Sequence, residues 1–264
     1  MKLYVINLAR SPGRLHRLEK LFRQQKLKLA RIMAVDANTI CDADYAALTA
    51  RQWWPEPLTR GEVACFLSHR LVLQHIAQGP DAYGAVFEDD VALSSRAQMF
   101  LTNDHWIPAG TDLVKIETQP GKKVWLGPPT VIMGGFSLAK LKSTHIMAAA
   151  YIVSRHAAAY LAGQMEQAWA PFDHFLFSFD YGIAANLKIY QLDPTIAIQA
   201  QLTSTLEDDR VRQTCEKKRR RTPMQTLQRE IRRIGIRSRT GLRGLKINLT
   251  GKEKWKCIPF DKKF

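Results

Sequence analysis

Apolar positions along this chain fall into short blocks, some continuous and some recurring at helical spacing. Leu3 to Leu8, with Val5 and Ile6 at its centre, reads as a buried first strand. Ser11-Pro12 follows, an N-cap residue with proline at the first helical position, and Leu15, Leu18 and Phe22 then recur at helical intervals. Ala30 to Val35 reads as a second strand ending at Asp36, so the opening is strand–helix–strand and predicts a parallel α/β sheet. Trp53 to Pro57 carries two prolines and reads as a loop. Thr59-Arg60-Gly61-Glu62 is a capping box. The helix behind it places Val63, Leu67 and Leu71 every four residues and is expected to end near Gly79-Pro80.

Further strands are predicted at Tyr83 to Phe87, Asp112 to Glu117, Ala148 to Val153 and Leu187 to Leu192. Ser154 is placed to cap a helix containing Ala157, Leu161 and Met165, and Pro171-Phe172-Asp173 begins a short segment. Gly121 to Gly135 is rich in glycine and proline and reads as a mobile loop region.

Charge divides the chain in two. The net charge is +15 over 264 residues. From Arg210 onward there are 19 Lys/Arg against 4 Asp/Glu, whereas the residues before it balance. A neutral body therefore carries a basic C-terminal stretch, and the two call for separate explanations. The run Lys217, Lys218, Arg219, Arg220, Arg221 is followed by Met224, Leu227, Ile231 and Ile234 at helical spacing, with Arg229, Arg232 and Arg233 interleaved. A basic amphipathic helix of that kind suits an anionic membrane surface.

The four cysteines, Cys41, Cys65, Cys215 and Cys257, form no C-x-x-C pair and no zinc framework, which fits a reducing compartment. The apolar opening stops at Arg10, short for a signal-peptide core, and no run approaches the ~18 apolar residues of a membrane span. The expected location is cytoplasmic, peripheral on a membrane face.

The segment with the clearest chemistry is Glu88-Asp89-Asp90, closing the strand that ends at Phe87. Adjacent carboxylates repel, and strands disfavour Asp, so a neutralising cation is one reason for the triplet and an acidic surface turn the other. Mg²⁺ and Mn²⁺ favour carboxylate oxygens together with substrate phosphates, and ligands of open α/β sheets bind at the carboxyl ends of strands. Asn7, Arg14 and Asp36 lie at or just after the first two strands, where they can touch a nucleotide's base, ribose or phosphates. The alternatives are a solvated helical Arg14 and a turn-forming Asp36. Ser68 and His69 sit inside the capped helix, where a lone histidine often packs or hydrogen-bonds. Trp53 and Trp54 suit a sugar face or core packing.

Several segments, in order, resemble glycosyltransferase family 25. They are Val5-Ile6-Asn7-Leu8 with Arg10 and Arg14, Ala34-Val35-Asp36-Ala37, Gly61-Glu62 through Ser68-His69, Phe87 through Asp90, Ala150 through Ser154, and Pro171-Phe172-Asp173. The resemblance covers roughly residues 1 to 205. It implies a GT-A-like, Rossmann-type nucleotide-binding domain, taken as 1–209, and the charge count assigns 210–264 to a basic extension. It implies a metal-dependent, inverting transfer of a hexose, often galactose from UDP-galactose, onto a lipooligosaccharide. On this resemblance Asp90 with Glu88 would hold Mn²⁺ or Mg²⁺. Asn7, Arg14, Asp36, Ser68, His69, Glu88 and Asp89 would face the donor. Asp173 would be the base, a helix-capping role being the alternative. Phe172 departs from the family, which carries a smaller aliphatic residue there. Two competing classes are a basic-tailed nucleic-acid-binding protein and a metal-dependent nucleotidyl or phosphoryl transferase. The first lacks a recognised nucleic-acid module, and the second lacks a G-x-x-x-x-G-K-[ST] loop.

Overall fold

The computed structural model describes residues 1–52, 54–200 and 252–262. Trp53 and the basic run Lys217 to Arg233 lie outside them.

Strand β1 (Lys2–Asn7) leads into helix α1 (Pro12–Gln24) and strand β2 (Leu29–Met33). Pro12 occupies the first helical turn as expected, but the Ser11 side chain makes no cap bond. Its carbonyl accepts from Asn7 Nδ2 at 3.0 Å, so the strand's last side chain closes the turn. Helices α2 (Asp42–Thr49) and α3 (Arg60–Gln78) follow. The capping box of α3 is complete: Glu62 N–H donates to Thr59 Oγ1 (3.0 Å), and Thr59 N–H donates to Glu62 Oε2 (2.8 Å).

Next come β3 (Tyr83–Glu88), β4 (Val91–Leu93), α4 (Gln98–Leu101) and β5 (Leu113–Lys115). Then follow β6 (Lys123–Leu126), β7 (Thr130–Val131), β8 (Ser137–Lys140) and β9 (Ala150–Ser154). Helices α5 (Arg155–Gly163) and α6 (Phe172–Phe177) precede β10 (Ile189–Asp193), β11 (Ala197–Gln199) and β12 (Lys254–Cys257). Ser154 Oγ caps α5 by accepting from Ala157 N–H at 3.1 Å.

The main sheet runs β2-β1-β3-β9-β5-β10-β8-β7. β1 is parallel to both neighbours, β2 and β3, and β5 is parallel to β10. The α/β class therefore holds. The sheet is mixed rather than wholly parallel, because β9 enters antiparallel between β3 and β5. The stretch 121–135, read from sequence as a loop, contains β6 and β7. β6 pairs with β12, far along the chain, and such a partner leaves no local pattern.

Alternation along β1 feeds two cores. Tyr4 and Ile6 pack with Val63, Phe66 and Leu73 of α3 and with Leu161 of α5. Leu3 and Val5 pack with Leu18 and Phe22 of α1 and with Phe100 and Trp106. Helices thus cover both faces of the sheet. Helix α3 lies close over β3 because Gly84 has no side chain: a Cβ there would stand 2.7 Å from Ile76 Cγ1.

The chain returns at its C-terminal end. β12 pairs antiparallel with β6, Ile258 is buried, and Asp261 binds Arg96 and Ser94. Residues 252–262, assigned from charge to the extension, are therefore packed on the α/β body. Among the described residues no helix is long and apolar enough to cross a membrane.

Candidate active site

β1 is followed by β2 on one side and, after α3, by β3 on the other, so the order of connections reverses at β1. Such a switch point leaves a crevice outside the strands' carboxyl ends. A cavity of about 350 Å³ lies there, within the size range of small-molecule sites. Its walls come from the ends of β1 and β3, the residues after β2, helix α3, the turn before β9, and the start of α6. Because β9 runs antiparallel, its N-terminal end delivers Met147, Ala148 and Ala149 to the same edge.

The three carboxylates have three different environments. Asp89 is neutralised within the protein: Asn7 Nδ2 donates to Oδ2 (2.7 Å) and Arg14 Nη1 to Oδ1 (3.1 Å). Arg17, which no sequence pattern singled out, donates to the carbonyls of Asp89 and Val91, both at 3.0 Å, and pins the turn. Glu88 is part-exposed and faces His69 Nε2 at 3.3 Å. Asp90 is 7% exposed. Its Oδ2 accepts from Gln199 Nε2 (2.8 Å), while Oδ1 is buried without a hydrogen-bond partner among the described residues. Burial, then the neighbouring Glu88 charge, pushes the Asp90 carboxyl up to about 6, with Gln199 opposing.

A buried carboxylate oxygen with an open lone pair, beside a second carboxylate in the same cavity, fits a hard divalent cation. A softer donor set lies next to it. Cys65, His69 and Glu88 bring their ligand atoms within 4.8 Å of one another, a combination that suits Zn²⁺ better than Mg²⁺ or Mn²⁺. Both His69 nitrogens are already engaged, Nδ1 by Tyr151 Oη (3.1 Å) and Nε2 by Glu88. Burial lowers the His69 pKa to about 3, so the ring is neutral, and Phe172 stacks on it at 3.8 Å.

The other expected residues are placed as follows. Arg14 and Ser68 line the cavity. Ser68 Oγ accepts from Val35 N–H (2.9 Å) and donates to Ala64 O (2.7 Å), tying the residues after β2 to α3. Asn7 is buried behind the wall and holds Asp89. Asp36 caps the short turn 37–39, accepting from Asn38 N–H, and pairs with Arg10. It does not line the cavity, whereas Arg10 does. Asp173 lines the same cavity as the triplet, from the first turn of α6. Its Oδ1 accepts from His174 N–H (2.9 Å) and its Oδ2 from Met147 N–H (3.3 Å). Trp54 packs against His174 (4.4 Å) and Tyr181 (5.3 Å) and is absent from the cavity wall.

Fold and site together define an α/β protein with acidic residues gathered in a cavity at a topological switch point. The chain belongs to glycosyltransferase family 25, whose model is described as an LPS biosynthesis protein and matches residues 1–176. It is 31% identical over 198 residues to the lipooligosaccharide biosynthesis protein lex-1 of Haemophilus influenzae, a match that covers 67% of this chain and 63% of that protein. It is 26% identical to lic2B of the same organism, covering 82% and 86%. A solved glycosyltransferase involved in glycosylating the PBCV-1 major capsid overlays with a TM-score of 0.45 at 8% identity. It covers 81% of this chain and 98% of that one, and the likeness is too loose to bear on function.

Proposed function

We propose that this chain is an inverting, metal-dependent glycosyltransferase that moves a hexose, with UDP-galactose as the leading donor, onto a growing lipooligosaccharide. The observation that carries the reading is one cavity lined by Glu88 and Asp90 from the end of β3 and by Asp173 from the start of α6. Family membership supports glycosyl transfer, and the relatives named for lipooligosaccharide biosynthesis support the acceptor.

Inversion is a single displacement. An acceptor hydroxyl oxygen attacks the sugar's anomeric carbon, the bond to the diphosphate oxygen breaks, and UDP leaves with that electron pair. Asp173 takes the hydroxyl proton: each of its oxygens accepts one backbone N–H and keeps a second lone pair. A Mg²⁺ or Mn²⁺ held by Asp90 and Glu88 would supply Lewis-acid stabilisation of the charge gathering on the diphosphate. Arg10 and Arg14 set two guanidinium groups on the wall, where they suit phosphate oxygens. Asp89, already paired with Asn7 and Arg14, holds this corner in place rather than binding the cation.

The test is product analysis with UDP-galactose, Mn²⁺ and deacylated lipooligosaccharide. Free UDP and an extended oligosaccharide are expected, together with a melting-temperature rise from UDP-galactose that is larger with Mn²⁺. Pyrophosphate release would instead indicate nucleotidyl transfer. No shift with any UDP-hexose would end the proposal.

The basic run Lys217 to Arg221, with Arg229, Arg232 and Arg233, is proposed to hold the enzyme on an anionic membrane surface near a lipid-linked acceptor, at the inner face of the membrane. Sedimentation with phosphatidylglycerol vesicles at low salt should pellet the protein and release it at high salt. Protein that stays in the supernatant at both would rule this out.

A further inference from the structure

Behind the residues that line the cavity, and not among them, is a buried ion pair that the mechanism above does not use, Lys115 with Glu117. Lys115 ends β5 and Glu117 lies two residues on, and both are 0% exposed. Lys115 Nζ donates to Glu117 Oε1 (3.3 Å) and to the carbonyl of Met147, and it stands 4.1 Å from the centre of the Phe177 ring. Gln191 Nε2 donates to the carbonyls of Lys115 (3.1 Å) and Glu117 (3.2 Å), and its Oε1 meets His145 Nδ1 (2.8 Å). The pair is therefore fixed on several sides.

A buried ion pair is seldom required for stability. Apolar or neutral residues of similar volume often do as well, whereas removing one partner strands the other charge. Its position here supplies another reason. Met147 has φ +76°, a left-handed conformation uncommon for a side chain of its size, so surrounding bonds must hold it. Its carbonyl is held by Lys115 and its N–H points at Asp173 Oδ2. One peptide segment therefore links the buried ammonium to the carboxylate on the cavity wall.

We infer that Lys115, braced by Glu117, is a positioning residue for Asp173, fixing the Met147 turn so that its N–H orients the carboxylate toward the acceptor hydroxyl. This rests on the reading of Asp173 as base. The groups facing Lys115 are Glu117, Asp173 and Glu88, each of which favours its charged form, while burial opposes it and lowers its pKa. A small displacement of a catalytic group costs up to about 10²-fold in rate.

The variant is Lys115→Met with Glu117→Gln, which removes both charges and strands neither. Its crystal structure should show the Met147 turn reoriented and the N–H bond to Asp173 lost. In the UDP-galactose transfer assay kcat should fall about 10- to 100-fold, with the donor dissociation constant unchanged within about twofold. In an Asp173→Asn background the same pair of changes should cost less than about threefold, because both act through one group. A folded double variant with the Met147–Asp173 bond intact, or with effects that multiply with Asp173→Asn, overturns the inference alone. Full activity of Asp173→Asn, or no transfer by the unaltered enzyme from any UDP-hexose, overturns the functional reading and this inference with it.

Discussion

Asp90 is a carboxylate that folding makes harder to ionise, because it is buried beside the Glu88 charge; among the described residues its Oδ1 has no hydrogen-bond partner. Its folded pKa, about 6, lies above the ordinary value of 3.8, so between those two values the folded state binds a proton that the unfolded state has released. Stability from this group therefore rises as pH falls from 6 toward 4, and the cost of the charge is fully present above 6. Asp90→Asn should make the metal-free protein more stable by about 1–3 kcal/mol at pH 8, with the difference gone near pH 4, while abolishing the stabilisation by Mn²⁺. Denaturant titrations at the two pH values check it, and a variant less stable at pH 8 would show that the carboxylate is not strained. At this scale the sequence exposes the triplet itself, because strands disfavour such residues. It hides the division of labour. Gln199 and Arg17, which set the environments of Asp90 and Asp89, lie 109 and 72 residues away along the chain. The motif alone names Asp36 and Ser68 as donor contacts and says nothing of their bonds: Ser68 lines the cavity while its hydroxyl ties the backbone of Val35 to that of Ala64, and Asp36 binds Asn38 N–H and the Arg10 side chain.

Elements whose signals are local were legible. The capping box, the apolar period and the terminal glycine together define α3, and Ser154 with Ala157 and Leu161 marks α5, which ends at Gly163 and leaves out Met165, expected within it. Continuous apolar runs located β1, β3, β9 and β10 to within a residue or two, because strands buried on both faces leave little else to read. Direction was not legible: an apolar run has no polarity, so nothing in Ala150 to Ser154 says that β9 runs against β3. Yet that reversal brings Met147 to the cavity beside Asp173. Strands of two to four residues, such as β4, β7, β11 and β12, have too few positions to show a period, and each is defined by its partner alone. The helix α2 was missed for a related reason. Asp42–Thr49 has no buried residue, so its apolar positions form no continuous face.

Charge suggests two parts, a neutral body and a basic extension, and the described end of that extension packs on the body. Ala200 N–H donates to the carbonyl of Asp90 at 2.7 Å, so the described stretch 54–200 ends beside the acidic corner. The chain is back on the body by Glu253, which binds Lys142 and Trp125. Lys256 then meets Asp193, Ile258 is buried, Thr195 N–H donates to Pro259 O (2.9 Å), and Asp261 receives Arg96 through two nitrogens at 2.8 and 2.6 Å. Charge counting could not find this return, because Lys252, Lys254, Lys256 and Lys262 continue the basic composition to the end. Ending the chain at Gly251 would expose the partners of Ile258 and leave Arg96 without its carboxylate. Those losses are worth about 3–5 kcal/mol together, and with roughly 2–4 °C per kcal/mol the melting temperature should fall by about 6–20 °C. Replacing Lys217 to Arg221 by glutamine should leave it within about 2 °C, if the run serves the membrane contact proposed for it rather than the core. Thermal melts of the two variants separate the roles. If the truncated protein melts with the full chain, the last eleven described residues are an appendage after all, and the body ends where the charge changes.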